Sequence, residues 1–319
     1  MNQIIVDGLS YALPMLIIAI GGIYSERSGV TNLALEGLLG FGAFAGGLFV
    51  SFTAGIFLAD SPVPFYLSFL FAAIGGGLFS LLHALLCIKL KANQVISGVV
   101  VNIAAVALTG FLAVQLNKAV FGGASNKFML STAPRYTVPG LSDIPVLGGL
   151  FTNVYPFELI IVVLAIVFWF ILYRTRFGLH LRACGDNPQA VDAAGINVAR
   201  VRLVAVIISG VLSGVGGMSF AYSISANVSP AIFFGAGYLA IAAMIFGNWK
   251  IVPTLVACLI FGLARSAAYQ LILVLEMDAS VTDLAMIVPY VLVLILLIFF
   301  SKRNQAPKAL GQIYDKSQR

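Results

Sequence analysis

Read as hydrophobic and polar positions, the chain is a series of apolar runs of about twenty residues, the length that crosses a ~30 Å hydrocarbon layer as a helix. Nine runs stand out: residues 9–24, 38–58, 65–88, 95–116, 157–173, 203–222, 232–246, 251–275 and 284–300. The first and seventh are short, as half-helices or re-entrant elements are. The pattern predicts an all-α polytopic transmembrane bundle of about eight to ten spans, one domain over residues 1–319. The opening "MNQIIVDGLSYALPMLI" has neither a basic start nor a small-residue cleavage site, so it reads as the first span rather than a signal peptide.

Two polar interruptions exceed simple turns. Residues 117–156 are rich in Gly and Pro, and residues 174–202 contain "GDNPQAVDAAG". In that motif Asn187 is a helix cap, Pro188 suits the first helical position and Gly195 is a stop, which predicts a small polar helix at 188–194. Lysine and arginine orient the spans. With the N-terminus outside and the C-terminus cytoplasmic, fourteen of the eighteen basic residues fall inside: Arg27, Lys89, Lys91, Arg174, Arg176, Arg182, Arg200, Arg202, Lys250, Lys302, Arg303, Lys308, Lys316 and Arg319. Lys118, Lys127 and Arg135 fall outside. Residues 117–156 are then an external loop and 174–202 a cytoplasmic one.

Composition narrows the function. At 61% hydrophobic and 9% charged, the chain has more apolar surface than one water-soluble core buries. The net charge of +6 is spread over short loops, which fits membrane topology and excludes a nucleic-acid surface. Cys87, Cys184 and Cys258 stand far apart, and His83 and His180 form no ligand spacing with them, so no metal site or disulfide framework is expected. His83, near the cytoplasmic end of its span, reads as a packed or interfacial residue.

Within the fourth run, Gln94, Gly98, Asn102, Ala105 and Thr109 recur every three or four residues and make one polar, small face. Such a face lines a solute pathway or bonds helices to each other, and the sequence leaves both open. Asn102 is the best pathway candidate, because an amide both donates and accepts. Glu36 and Arg265 are the charges well inside spans or their broken ends; their cost in hydrocarbon calls for protein or water around them, or for mutual pairing, in a structural role. Gly42 with Gly46, and Gly210 with Gly214, have the spacing of close helix contacts. "SERSGVTNLALEGLLGFGAFAGG" and "SANVSPAIFFGAGYLAIAAMIFG" are weakly similar and would lie at opposite membrane faces, as in inverted repeats.

The helix at 188–194 presents Ala190, Ala193 and Ala194 beside Val191, a low-profile surface suited to a groove in another protein. The competing reading is a helix lying on lipid headgroups, for which the face lacks Trp, Phe and Leu. At this point "RTRFGLHLRACGDNPQAVDAAGINV", followed by "ISGVLSGVGG", resembles the cytoplasmic signature of ABC-importer permeases for ribose-type sugars, branched-chain amino acids and nucleosides. "SERSGVTNLALEGLLGFGAFAG" is similar to the nucleoside branch. Asn32 stands where sugar permeases carry the Asp of a GGIDLSVG-like stretch, and joins Gln94, Asn102 and Thr109 as a candidate pathway residue. The resemblance implies that Asn187, Pro188, Gln189, Ala190, Val191, Asp192, Ala193, Ala194 and Gly195 form the coupling helix that docks on a partner ATPase. It further implies a second, homologous permease, an ATPase with two nucleotide sites holding ATP and Mg, an extracellular substrate-binding lipoprotein or protein, and a place in the cell membrane. The chain carries no GxxxxGKS/T phosphate loop and no cofactor of its own is expected. A sugar or branched-chain amino acid permease is the alternative within the family. An ATP-independent secondary transporter needs core carboxylates, for which Glu36 is the lone candidate, and an intramembrane enzyme needs a nucleophile with a base, which is not visible.

Overall fold

A helix can carry polar residues into a membrane where its neighbours supply partners, and the first apolar run does so at both ends. In the computed structural model, which describes residues 2–57, 61–130, 133–144, 148, 151–276, 279–300 and 305–315, helix α1 spans Asn2–Arg27. The run 9–24 is therefore no half-helix. Its Ser10 hydroxyl donates to Glu158, Glu26 accepts from the Trp249 indole, and Arg27 donates to the Trp249 carbonyl. Leu58, Lys302, Arg303, Lys316 and Arg319 lie outside the described residues.

After α1 the chain forms α2 (Leu35–Phe52), α3 (Val63–Ala84, ending in a π turn Leu85–Lys89), α4 (Gln94–Phe121) and α5 (Pro156–Arg174). The segment 174–202 is more helical than its polarity suggests: α6 (Arg176–Asp186) precedes the small helix α7 (Pro188–Ala193), and α8 begins at Val198. Helix α8 (Val198–Phe220) ends in a π turn, Ala221–Ser225. Then follow α9 (Ala236–Phe246), α10 (Ile251–Val274) and α11 (Ala279–Phe300). Strand β1 (Phe128–Met129) pairs antiparallel with β2 (Asn227–Val228), Phe128 opposite Val228. Among the described residues seven helices are long and apolar enough to cross a membrane. Helix α11 has 22 residues. The seventh run, by contrast, yields the 11 residues of α9, roughly 16 Å of helix, too short to cross alone.

From Tyr11 to Tyr24 helix α1 is apolar all round and buried all round: Met15, Ile17, Ile18, Ala19, Ile20 and Ile23 are fully enclosed. It packs on α8 and α10, while α3 packs on α8 and α2. Glycine lets these backbones meet. A Cβ on Gly42 would stand 2.3 Å from the Cα of Gly214, and one on Gly210 2.4 Å from the Gly76 carbonyl oxygen. The outer faces of α4, α5 and α10 instead expose Ile96, Ile103, Val163, Ile166 and Val252, as lipid or a second membrane subunit requires.

The two ends differ in chemistry. At the α7 end, Arg27 donates to the carbonyls of Asn248 and Trp249, Arg202 to those of Ser28 and Gln312, and Lys91 pairs with Asp315 at 2.5 Å. The opposite end carries the β1–β2 pair and a bridge between Tyr136 and Val154.

Candidate functional site

Helix α7 is built as its sequence reads. The Asn187 side chain accepts from the Ala190 N–H at 3.0 Å, Pro188 occupies the first position, and Gly195 turns the chain at φ +81°. Asn197 then caps α8 by accepting from Arg200. Pro188 and Val191 are buried against the body, whereas Gln189, Ala190, Ala193 and Ala194 are exposed. Val191 thus anchors the helix, and the outward face consists of small residues.

The base of α7 is fastened to α1. Gly185, two residues before Asn187, lies so close to the end of α1 that a Cβ there would stand 2.2 Å from the Arg27 carbonyl oxygen. Residues 305–315 close over this joint. The Ala309 N–H donates to the Gly185 carbonyl at 2.7 Å, and the Gly311 N–H to that of Gly29 at 3.1 Å. Cys184, beside them, is fully buried, and burial pushes its thiol up to about 11.

Asn32, Gln94 and Asn102 converge on the irregular segment between α1 and α2. Asn102 Oδ1 accepts from the Gly37 N–H at 2.7 Å, and its Nδ2 donates to the Leu33 carbonyl at 2.8 Å and the Tyr238 hydroxyl at 2.9 Å. Gln94 accepts from the Thr31 N–H, and Asn32 donates to Ser209 while accepting from the Ala34 N–H. His83 reaches the Thr31 carbonyl and the Ser97 hydroxyl. Thr109 stands apart, bonded to the Ala105 carbonyl of its own helix.

Glu36 and Arg265 have separate partners rather than each other. The Glu36 carboxylate accepts from the N–H groups of Gly235 and Gly237, at 2.7 and 2.6 Å, and so caps the positive end of α9. Arg265 lies over the Tyr11 ring, 4.1 Å from its centre. Helices α2 and α9 each follow an irregular segment, one entered from the α7 end and the other from the opposite end, and their N-termini meet at Glu36. These segments lie in the two weakly similar stretches of sequence. Sequence reasoning missed Glu26, Glu158 and Arg202, which are also buried; each sits at the edge of an apolar run, where hydropathy alone assigns it to water.

The family described as "Branched-chain amino acid transport system / permease component" matches residues 4–297. The chain is 41% identical to the nucleoside ABC transporter permease protein NupC of Lactococcus lactis subsp. cremoris, over 98% of this chain and 97% of that one. It is 39% identical to the guanosine ABC transporter permease protein NupQ of Bacillus subtilis, over 98% and 96%. To the putative glucose ABC transporter permease protein TsgC13 of Haloferax volcanii it is 31% identical, over 79% and 72%. No solved structure matches the chain.

Proposed function

Since the chain belongs to the branched-chain amino acid transport system / permease component family, whose members are membrane transport subunits and not enzymes, we propose that it is the permease of an ATP-driven nucleoside importer. The observation that carries the substrate is its near full-length similarity to permeases named for nucleosides and guanosine. A sugar is the competing solute, supported by the more distant glucose-permease relative.

In this reading the chain pairs with a second, homologous permease, and α7 seats on an ATPase whose two nucleotide sites hold ATP and Mg. An extracellular binding lipoprotein or protein delivers solute at the other end. The N-terminus lies outside the cell membrane and the C-terminus in the cytoplasm, with 117–156 external and 174–202 cytoplasmic. The outward face of Ala190, Ala193 and Ala194 supports docking, because small side chains admit close approach at little entropic cost. Closure of the ATPases on nucleotide displaces α7, and the contact of Gly185 with the end of α1 passes that displacement into a helix that runs the full depth of the bundle. Asn32, Gln94 and Asn102 hold the broken helices in register, through bonds to Ser209, Ala34, Thr31, Gly37 and Leu33.

The test is uptake of labelled adenosine, ribose and leucine into proteoliposomes holding the complete transporter, with and without ATP and with the ATPase's phosphate-loop lysine replaced. ATP-dependent adenosine uptake is expected. Uptake that ignores the ATPase, or that is confined to ribose or leucine, overturns the reading.

A further inference from the structure

Helix α1 joins the base of α7 at one end and lines a cavity at the other. About 370 Å³ lie among Asp7 on α1, Arg265 and Ser266 on α10, Ser223 in the turn after α8, and Arg135 and Tyr155 from the connection before α5. That volume falls within the ~300–1,000 Å³ of small-molecule sites. Asp7 and Arg27 are twenty residues apart on one helix, so the cavity sits about 30 Å from the joint with α7.

The lining is prepared for a polar occupant. The hydroxyls of Ser266 and Ser223 are buried without a hydrogen-bond partner, and Ser266 is only 5% exposed. A buried hydroxyl left unpaired is unfavourable, and a guest in the cavity would supply a partner to each as its rotamer turns toward it. The Arg265 guanidinium is held over Tyr11, and that of Arg135 over Tyr155, 4.4 Å from the ring centre, where it also donates to the phenol oxygen. Stacking fixes both forks while leaving further N–H donors for a guest. Among the described lining residues Asp7 is the one carboxylate, its Oδ2 accepting from Gln270 at 3.4 Å.

We propose that this cavity is a solute-binding site within the permease itself, shaped for a neutral nucleoside; it rests on the nucleoside reading above. Asp7 accepts from ribose hydroxyls, the two serines complete the hydrogen bonds around them, and the guanidiniums of Arg135 and Arg265 donate to carbonyl and ring-nitrogen acceptors of the base. Solute released from an external binding protein is thereby held at the end of α1 farthest from α7.

The test uses the assembled transporter with its three native cysteines replaced and Ser266→Cys as a reporter, which a thiosulfonate reagent labels as a mixed disulfide with release of sulfinate. Adenosine is expected to slow the labelling, and adding Ser223→Ala is expected to raise the half-protecting adenosine concentration roughly two- to tenfold, the loss of one hydrogen bond. Ser223→Ala removes a group without a protein partner, so the yield of assembled complex should not fall. Adenosine uptake without any protection overturns the site alone. Uptake of ribose but not of adenosine by the unaltered complex overturns the substrate reading, and with it the ligand assigned to this cavity.

Discussion

Replacing Asn102 by leucine separates a pathway residue from a structural one. The amide makes three hydrogen bonds at 2.7, 2.8 and 2.9 Å, to Gly37, Leu33 and Tyr238, and so ties the start of α2 and the segment before it to α9. Interhelical bonds in membrane proteins are worth about 0.6 kcal/mol each, so their loss amounts to ~2 kcal/mol. The Gly37 N–H lies at the start of α2, where no intrahelical acceptor exists, and leaving it buried adds about 1–2 kcal/mol. Space is short as well: a Cβ on Gly37 would stand 2.9 Å from the Asn102 Cα, so the branched leucine has little room to relax. The total, ~3–4 kcal/mol, should lower the thermal midpoint of the purified complex by roughly 5–10 °C. Uptake per assembled complex should stay near normal. The assay pairs a thermal melt with uptake normalised to assembled permease. An unchanged midpoint with lost uptake would refute the argument and place the amide on the solute path.

Glutamates at Ala190 and Ala193 should abolish copurification of the ATPase, through unpaired charges that cost roughly 3–5 kcal/mol at a buried interface, without lowering the permease's own melting temperature, because both alanines are exposed. Normal recovery with normal uptake contradicts the docking assignment. Val191→Asp should destabilise the permease itself, since Val191 is 5% exposed. Gly185→Ala forces its Cβ against the Arg27 carbonyl oxygen and should reduce ATPase-driven uptake and cost about 1–3 kcal/mol of stability; a variant with wild-type melting and uptake removes the joint between α6 and α1 from the mechanism. In a cysteine-free background on intact cells, an impermeant reagent should label Asn2→Cys and spare Gln189→Cys, and the reverse pattern inverts the topology.

Periodic and local signals were legible in the chain. The apolar runs set the helices, since a helix in a bilayer satisfies its backbone within itself. The shortness of 232–246 foretold a helix that fails to cross, and Asn187, Pro188 and Gly195 marked α7 to within a residue because capping is decided by adjacent atoms. Contacts between distant stretches were not legible. Isoleucine suits lipid and protein core equally, so nothing in α1 announced that it is enclosed while the outer face of α4 is bare. In the sequence Asn102 is open to lining a path or to tying helices, and that Leu33, Gly37 and Tyr238 meet at its amide is seen only in the fold. The same holds for Glu36, which found the backbone of α9 instead of Arg265. The bundle, its breaks and the small helix α7 could be read from the chain, because those follow from neighbours along it. Which polar groups complete one another and which, like the hydroxyls of Ser223 and Ser266, stay buried without a partner is settled only in the folded chain, because hydrogen bonds are completed by residues that sequence distance does not bring together.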